Sequence, residues 1–248
     1  MPQTIVRDGH ALAYAFTPGA APAVVFLGGF RSDMQGTKAL ALESWAKACG
    51  QAFLRLDYSG HGQSGGVFEA GTIGAWYEDA RAVIALEIAQ PAVLVGSSMG
   101  GWIALLIARD APEMVAGLVT VAAAPDFTED GYWAGFTPEQ KVALAEQGRV
   151  AIPSEYGMPY VITQRLIEDG RDNLVLRDPL SLPFPVRFLQ GTADADVPEA
   201  WAHRLLAHAE GPDMRLTLVK GADHRFSGPQ ELSMIEAAVE DVVARVTA

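Results

Sequence analysis

Residues 92–108 read Ala-Val-Leu-Val-Gly-Ser-Ser-Met-Gly-Gly-Trp-Ile-Ala-Leu-Leu-Ile-Ala. A short apolar run stops at Gly96-Ser97-Ser98-Met99-Gly100, and an apolar run of helical length follows with no linker. That order is strand, sharp turn, helix, with Ser98 at the apex. Gly96 and Gly100 have no Cβ, so strand and helix can approach closely on either side of the turn. The turn strains the backbone at Ser98 and lifts its hydroxyl clear of the sheet. If Ser98 is a nucleophile, an acid and then a histidine must follow it in the chain.

The surrounding pattern is consistent with such a turn. Thr4–Arg7 and Ala11–Phe16 read as short strands joined at Asp8-Gly9, a hairpin signal. Strands are expected at Ala23–Leu27, Ala52–Leu56, Ala92–Val95 and Val115–Ala123, with helices at Thr37–Ala48, Thr72–Ala89 and Gly101–Arg109 between them. This alternation predicts an α/β fold, a mostly parallel sheet with helices on both faces. It breaks at Pro125 and resumes at Val186–Gln190, Pro198–Ala209, Met214–Val219 and Pro229–Val246. The expected organisation is therefore a core of residues 1–124 and 186–248 interrupted by a helical lid at 125–185. Within the insertion no strand is expected. Thr137-Pro138-Glu139-Gln140 carries a helix-start signature, and Tyr160–Asp169 reads as a second helical piece.

Composition narrows the partners. Half of the 248 residues are hydrophobic, enough for a sizeable core. The net charge of −12 argues against nucleic acid, whose binding needs Lys and Arg to displace counterions. The lone cysteine, Cys49, cannot form an intrachain disulfide and is expected to be a buried structural thiol. No apolar run reaches the roughly 20 residues of a membrane span. Residues 1–10 lack the apolar core of a signal peptide, so a cytoplasmic location is expected.

The chain contains Gly-x-Ser-x-Gly twice. Gly62-Gln63-Ser64-Gly65-Gly66 follows the loop-like Tyr58-Ser59-Gly60-His61, and no apolar helix starts after it. The strand–turn–helix requirement selects Ser98 and rejects Ser64. The same loop imitates a dinucleotide fingerprint, Gly60-x-Gly62-x-x-Gly65, but again no helix opens on it. Of five histidines, only His224 both follows a late strand and lies late in the chain. The acid falls in Gln190-Gly191-Thr192-Ala193-Asp194-Ala195-Asp196-Val197-Pro198, where periodicity does not separate Asp194 from Asp196. An oxyanion needs two backbone donors. The Met99 amide follows the nucleophile, and the loop Gly28-Gly29-Phe30-Arg31 supplies the other, from Phe30 or, in reserve, Gly29. No spacing suggests a metal site or an organic cofactor.

These residues resemble the α/β-hydrolase superfamily over essentially the whole chain. The stretch around Asp194 is similar to its His-Gly-x-x-Asp-x-x-Val-Pro pattern, with Gln190 in place of the histidine. The resemblance implies that Asp194 is the acid and that Asp196 occupies a variable position. A narrower resemblance is to the palmitoyl-protein thioesterase/mycophenolic acid acyl-glucuronide esterase family. It is carried by Gly29-Phe30-Arg31-Ser32-Asp33-Met34-x-Gly36-Thr37-Lys38, Arg55-Leu56-Asp57-Tyr58-Ser59-Gly60, Gly96–Trp102, Ile152-Pro153-Ser154-Glu155-Tyr156, Met158-Pro159 and Asp223-His224-Arg225. It implies a serine hydrolase that cleaves small-molecule acyl esters or thioesters through Ser98, His224 and Asp194 and an acyl-enzyme. The alternatives are a cofactor-free haloperoxidase or C–C hydrolase on the same fold, and a non-catalytic ligand-binding module. Candidate substrate-binding residues are Gly29, Arg31, Trp102, Trp133, Tyr156 and Tyr160, with Phe136 a further apolar candidate and Arg225 a second cation.

Overall fold

The computed structural model describes residues 2–153 and 159–248. Eight strands form one sheet: β1 (Gln3–Arg7), β2 (His10–Thr17), β3 (Ala20–Leu27), β4 (Gln51–Leu56), β5 (Ala92–Ser97), β6 (Val115–Val121), β7 (Val186–Gly191) and β8 (Met214–Val219). Their order is β1-β2-β4-β3-β5-β6-β7-β8. The hairpin β1–β2 and the β2–β4 pair are antiparallel, and every later pair is parallel.

Seven α-helices accompany the sheet among the described residues: α1 (Thr37–Cys49), α2 (Ile73–Glu87), α3 (Met99–Asp110), α4 (Pro138–Gln147), α5 (Gln164–Asp172), α6 (Glu199–His208) and α7 (Pro229–Thr247). The central strands are apolar on both sides, and successive residues point to opposite faces. Val24 and Phe26 of β3 pack with Leu42 of α1 and Val239 of α7. Val25 and Leu27 pack on the other face with Trp76 of α2 and Leu105 of α3. Each such side chain taken from water contributes about 1.5–3 kcal/mol before the cost of ordering the chain. Among the described residues no helix is long and apolar enough to cross a membrane.

The structure departs from the sequence expectations in the insertion and at Cys49. Segment 125–185 is not all helical: Arg149–Ile152 and Tyr160–Thr163 pair as an antiparallel hairpin, from Arg149↔Thr163 to Ile152↔Tyr160. The helical piece expected from Tyr160 therefore starts only at Gln164, where the Thr163 side chain caps it by accepting from the Leu166 amide. The α4 start is as the sequence indicates, with Thr137 and Gln140 forming a reciprocal capping box and Pro138 in the first turn. Cys49 is exposed rather than buried: it is the last residue of α1, one turn beyond the buried Ala46, where the helix end with Ala48 and Gly50 is open to solvent.

Candidate active site

The elbow is tight. Ser98 has φ 54° and ψ −117°, a backbone region costly for a residue with a Cβ, on the order of 1–3 kcal/mol. Its surroundings hold it there: the Ser98 amide donates to Val121 O at 2.9 Å, and Ser98 O accepts from Gly101 and Ala124. A Cβ on Gly100 would lie 2.0 Å from Leu27 O, and one on Gly96 2.4 Å from Gly100 O. Helix α3 therefore begins at Met99, two residues earlier than its apolar run suggests, pressed against the end of β3.

Three loops at the C-terminal ends of the strands converge on Ser98. His224 follows β8, and its Nε2 lies 3.1 Å from Ser98 Oγ. Its Nδ1 lies 2.8 Å from Asp194 Oδ2, in the loop after β7. The carboxylate can only accept when ionised, so Nδ1 carries the proton and Nε2 is left to accept from the serine hydroxyl. Asp194 is buried and further held. Its Oδ1 accepts from the amides of Asp196 (3.0 Å) and Val197 (2.7 Å), and its Oδ2 also accepts from Gln190 Nε2 at 3.0 Å. Asp196 thus serves its neighbour through its backbone, while Asp194 meets the imidazole. Asp194, Asp196 and His224 carry metal-capable atoms within 4.8 Å of one another. Asp194 already accepts four hydrogen bonds, so a cation there would displace the network.

The turn after β3 lies on the other side of Ser98. A Cβ on Gly29 would stand 3.3 Å from Ser98 Cβ, a tight contact that shows how closely this turn approaches the serine. Ser32 closes the turn, its amide and hydroxyl both donating to Gly29 O. The Phe30 amide lies in this turn, and the Met99 amide is the first of α3, without an intrahelical acceptor.

The serine and histidine open into a cleft of about 860 Å³. One wall is aromatic, with Phe30, Phe127, Tyr132, Tyr160 and Trp201. Polar side chains, Arg31, Asp33, Lys38 and Arg225, also line the cleft. Phe127 and Tyr132 come from a π-helical turn, Phe127–Trp133. Its wider pitch puts residues five apart on one side, so the two rings meet edge-on at 5.4 Å. Lys38 is half-buried and donates to Arg225 O, and burial pushes its ammonium down to about 8.

The sequence-derived candidates separate here. Gly29, Arg31 and Tyr160 line the cleft. Arg31 reaches Pro159 O at 3.3 Å and lies over the rings of Phe68 and Tyr160. Trp102 does not line it: the side chain is fully buried, donates to Asn173 O at 3.0 Å and backs Phe127. Trp133 does not line it either, since its ring sits between Lys141 and Arg171. Phe136 is buried one layer back, stacked on Tyr132. Tyr156 lies outside the described residues. Trp201, Phe127 and Tyr132 are among the lining residues that the sequence did not single out. Ser64 is tied into its loop, donating to Asp57 O (2.7 Å) and accepting from the Ala13 amide (2.8 Å).

An eight-stranded sheet in this order, with a strained serine at the turn from the fifth strand into a helix, defines the α/β-hydrolase class. The chain belongs to the family described as Serine aminopeptidase, S33 (Hydrolase_4), whose profile matches residues 19–166. Mitochondrial palmitoyl-protein thioesterase ABHD10 of Rattus norvegicus is 32% identical to it over 242 residues, 96% of this chain and 80% of the relative. The structure of mouse alpha/beta hydrolase domain-containing protein 10 is 30% identical, with 99% of each chain covered and a TM-score of 0.92. A crystal structure from Agrobacterium vitis S4, named only as a hydrolase, is 42% identical, with 98% of each chain covered and a TM-score of 0.92.

Proposed function

We propose that this hydrolase cleaves acyl esters and acyl thioesters through an acyl-enzyme on Ser98. The observation that carries this reading is the hydrogen-bonded chain Ser98–His224–Asp194 at the mouth of an aromatic-walled cleft. His224 takes the Ser98 proton as Oγ attacks the acyl carbonyl carbon. The Met99 and Phe30 amides stabilise the oxyanion of the tetrahedral intermediate. His224 then protonates the departing alcohol or thiol, and next deprotonates the water that releases the acid. Asp194 holds the imidazole in the required tautomer and stabilises its protonated form. The names of the thioesterase relatives support acyl thioesters as substrates.

In the same reading, residues 125–185 act as a lid over the C-terminal ends of the strands. Tyr132 and Tyr160 from that segment, with Trp201, hold the acyl chain. The test is an ester and thioester panel from acetyl to palmitoyl, run on the wild type and on Ser98→Ala. Turnover is expected to extend to medium and long acyl chains, and to fall on the order of 10⁴-fold or more in the variant, because triad members act as a unit. Equal rates in the two proteins would refute the mechanism, and a strict acetyl preference would refute the acyl cleft.

A further inference from the structure

The second Gly-x-Ser-x-Gly takes no part in the chemistry above, yet its loop grips the turn after β3 at three points. The Tyr58 hydroxyl donates to Gly28 O at 3.2 Å. The Arg31 amide donates to His61 Nε2 at 3.3 Å. The Met34 amide donates to Asp57 Oδ1 at 2.6 Å. The gripped residues are 28, 31 and 34, and Phe30 lies between the first two. The gripping loop is itself fixed: Asp57 Oδ2 accepts from the Gln63 amide at 2.8 Å, and Ser64 bonds back to Asp57 O.

His61 is the central contact. The ring is buried edge-on against Tyr58, Phe68 and Trp76 at centroid distances of 5.4, 5.0 and 5.0 Å. Nδ1 faces Ser59 O at 3.2 Å, so it carries the proton and the Nε2 lone pair faces Arg31. Burial pushes the imidazole down to about 4, which keeps Nε2 unprotonated at neutral pH. Arg31 has φ 58°, a left-handed conformation that a non-glycine residue keeps only when its surroundings impose it.

We propose that His61 is a positioning residue for oxyanion binding: by accepting the Arg31 amide proton it fixes the turn against Ser98 and so aims the Phe30 amide. This rests on the reading of Phe30 and Met99 as oxyanion donors. His61 never touches substrate; it acts through the backbone of residues 29–31.

Three variants test it. His61→Phe keeps a ring in the aromatic nest and removes the acceptor. His61→Asn is too short to reach the Arg31 amide. His61→Gln brings an amide oxygen near the position of Nε2. The readouts are kcat, KM and the inhibition constant of an alkyl boronic acid, whose tetrahedral serine adduct places an oxygen where the oxyanion forms. We expect kcat to fall roughly 10–100-fold in the Phe and Asn variants, with the boronate constant rising in step and KM within about threefold. His61→Gln should recover kcat to within about fivefold of wild type. A purely structural role would instead change melting temperature and KM without a matching change in boronate affinity. The proposal is overturned by Phe and Asn variants with wild-type kcat, by a loss that Gln does not recover, or by a loss that boronate affinity does not follow. Wild type and Ser98→Ala in the same assay test the parent mechanism separately, so an unchanged His61→Phe counts against His61 alone.

Discussion

At the scale of single residues, local geometry decides what each side chain can do. Asp194 and Asp196 are two positions apart, and the sequence spacing does not rank them. The structure separates them because Asp194 folds back to accept the Asp196 and Val197 amides, which leaves its second oxygen facing His224. Ser98 and His224 were legible because each needs a particular neighbour in the chain: a strand on one side, and for Ser98 a helix on the other. The tryptophans were not. Trp102, Trp133 and Trp201 are equally apolar in sequence, and only packing sends one to the core, one between two cations and one to the cleft. His61 carries a residue-scale prediction about stability. Burial holds it neutral in the folded chain down to about pH 4, while an unfolded histidine takes up a proton near 6.5. Between these values the unfolded state binds more protons, so stability is full above pH 6.5 and is lost as pH falls toward 4. The loss attributable to this group is about 3 kcal/mol across that window. Urea denaturation at pH 7 and pH 4 should show a smaller acid loss in His61→Gln than in wild type. Equal losses would contradict the assignment.

At the scale of elements, the elbow was legible because its pattern is contiguous: an apolar strand, two glycines around a serine, and an apolar helix. The close approach that those glycines permit is physical and testable. Gly100→Ala would drive a methyl group into the backbone of Leu27 and Gly28. We expect a loss of about 3 kcal/mol or more, which lowers the melting temperature by roughly 10 °C. A variant that melts within about 2 °C of wild type would show that α3 can move away from β3. The hairpin Arg149–Ile152/Tyr160–Thr163 was not legible, because each strand has only four residues and a Pro-containing stretch separates them. Nor was the π-helical turn at Phe127–Trp133, whose side-chain spacing departs from the 3.6-residue period used to recognise helices.

At the scale of the whole molecule, alternating strands and helices made the parallel sheet legible. The convergence of the loops after β3, β5, β7 and β8 on one point follows from their shared direction in that sheet. What sequence patterning did not carry is how segment 125–185 is tied down. Asp126, fully buried, accepts from the Val175 and Leu176 amides at 2.8 and 3.1 Å and from Arg177, joining the start of the segment to a stretch near its end. These contacts are fifty residues apart in the chain and leave no periodic trace. Burial raises the Asp126 carboxyl above the usual range even with those donors. Every step of the proposed reaction requires Ser98 to carry the acyl group. The most direct measurement is peptide-resolved mass spectrometry of protein quenched during turnover of a slowly deacylating p-nitrophenyl ester. The expected result is an acyl adduct on the Ser98 peptide, absent from Ser98→Ala. Sustained turnover with the adduct on another residue, such as Ser64, or with no adduct and an active Ser98→Ala, would contradict it.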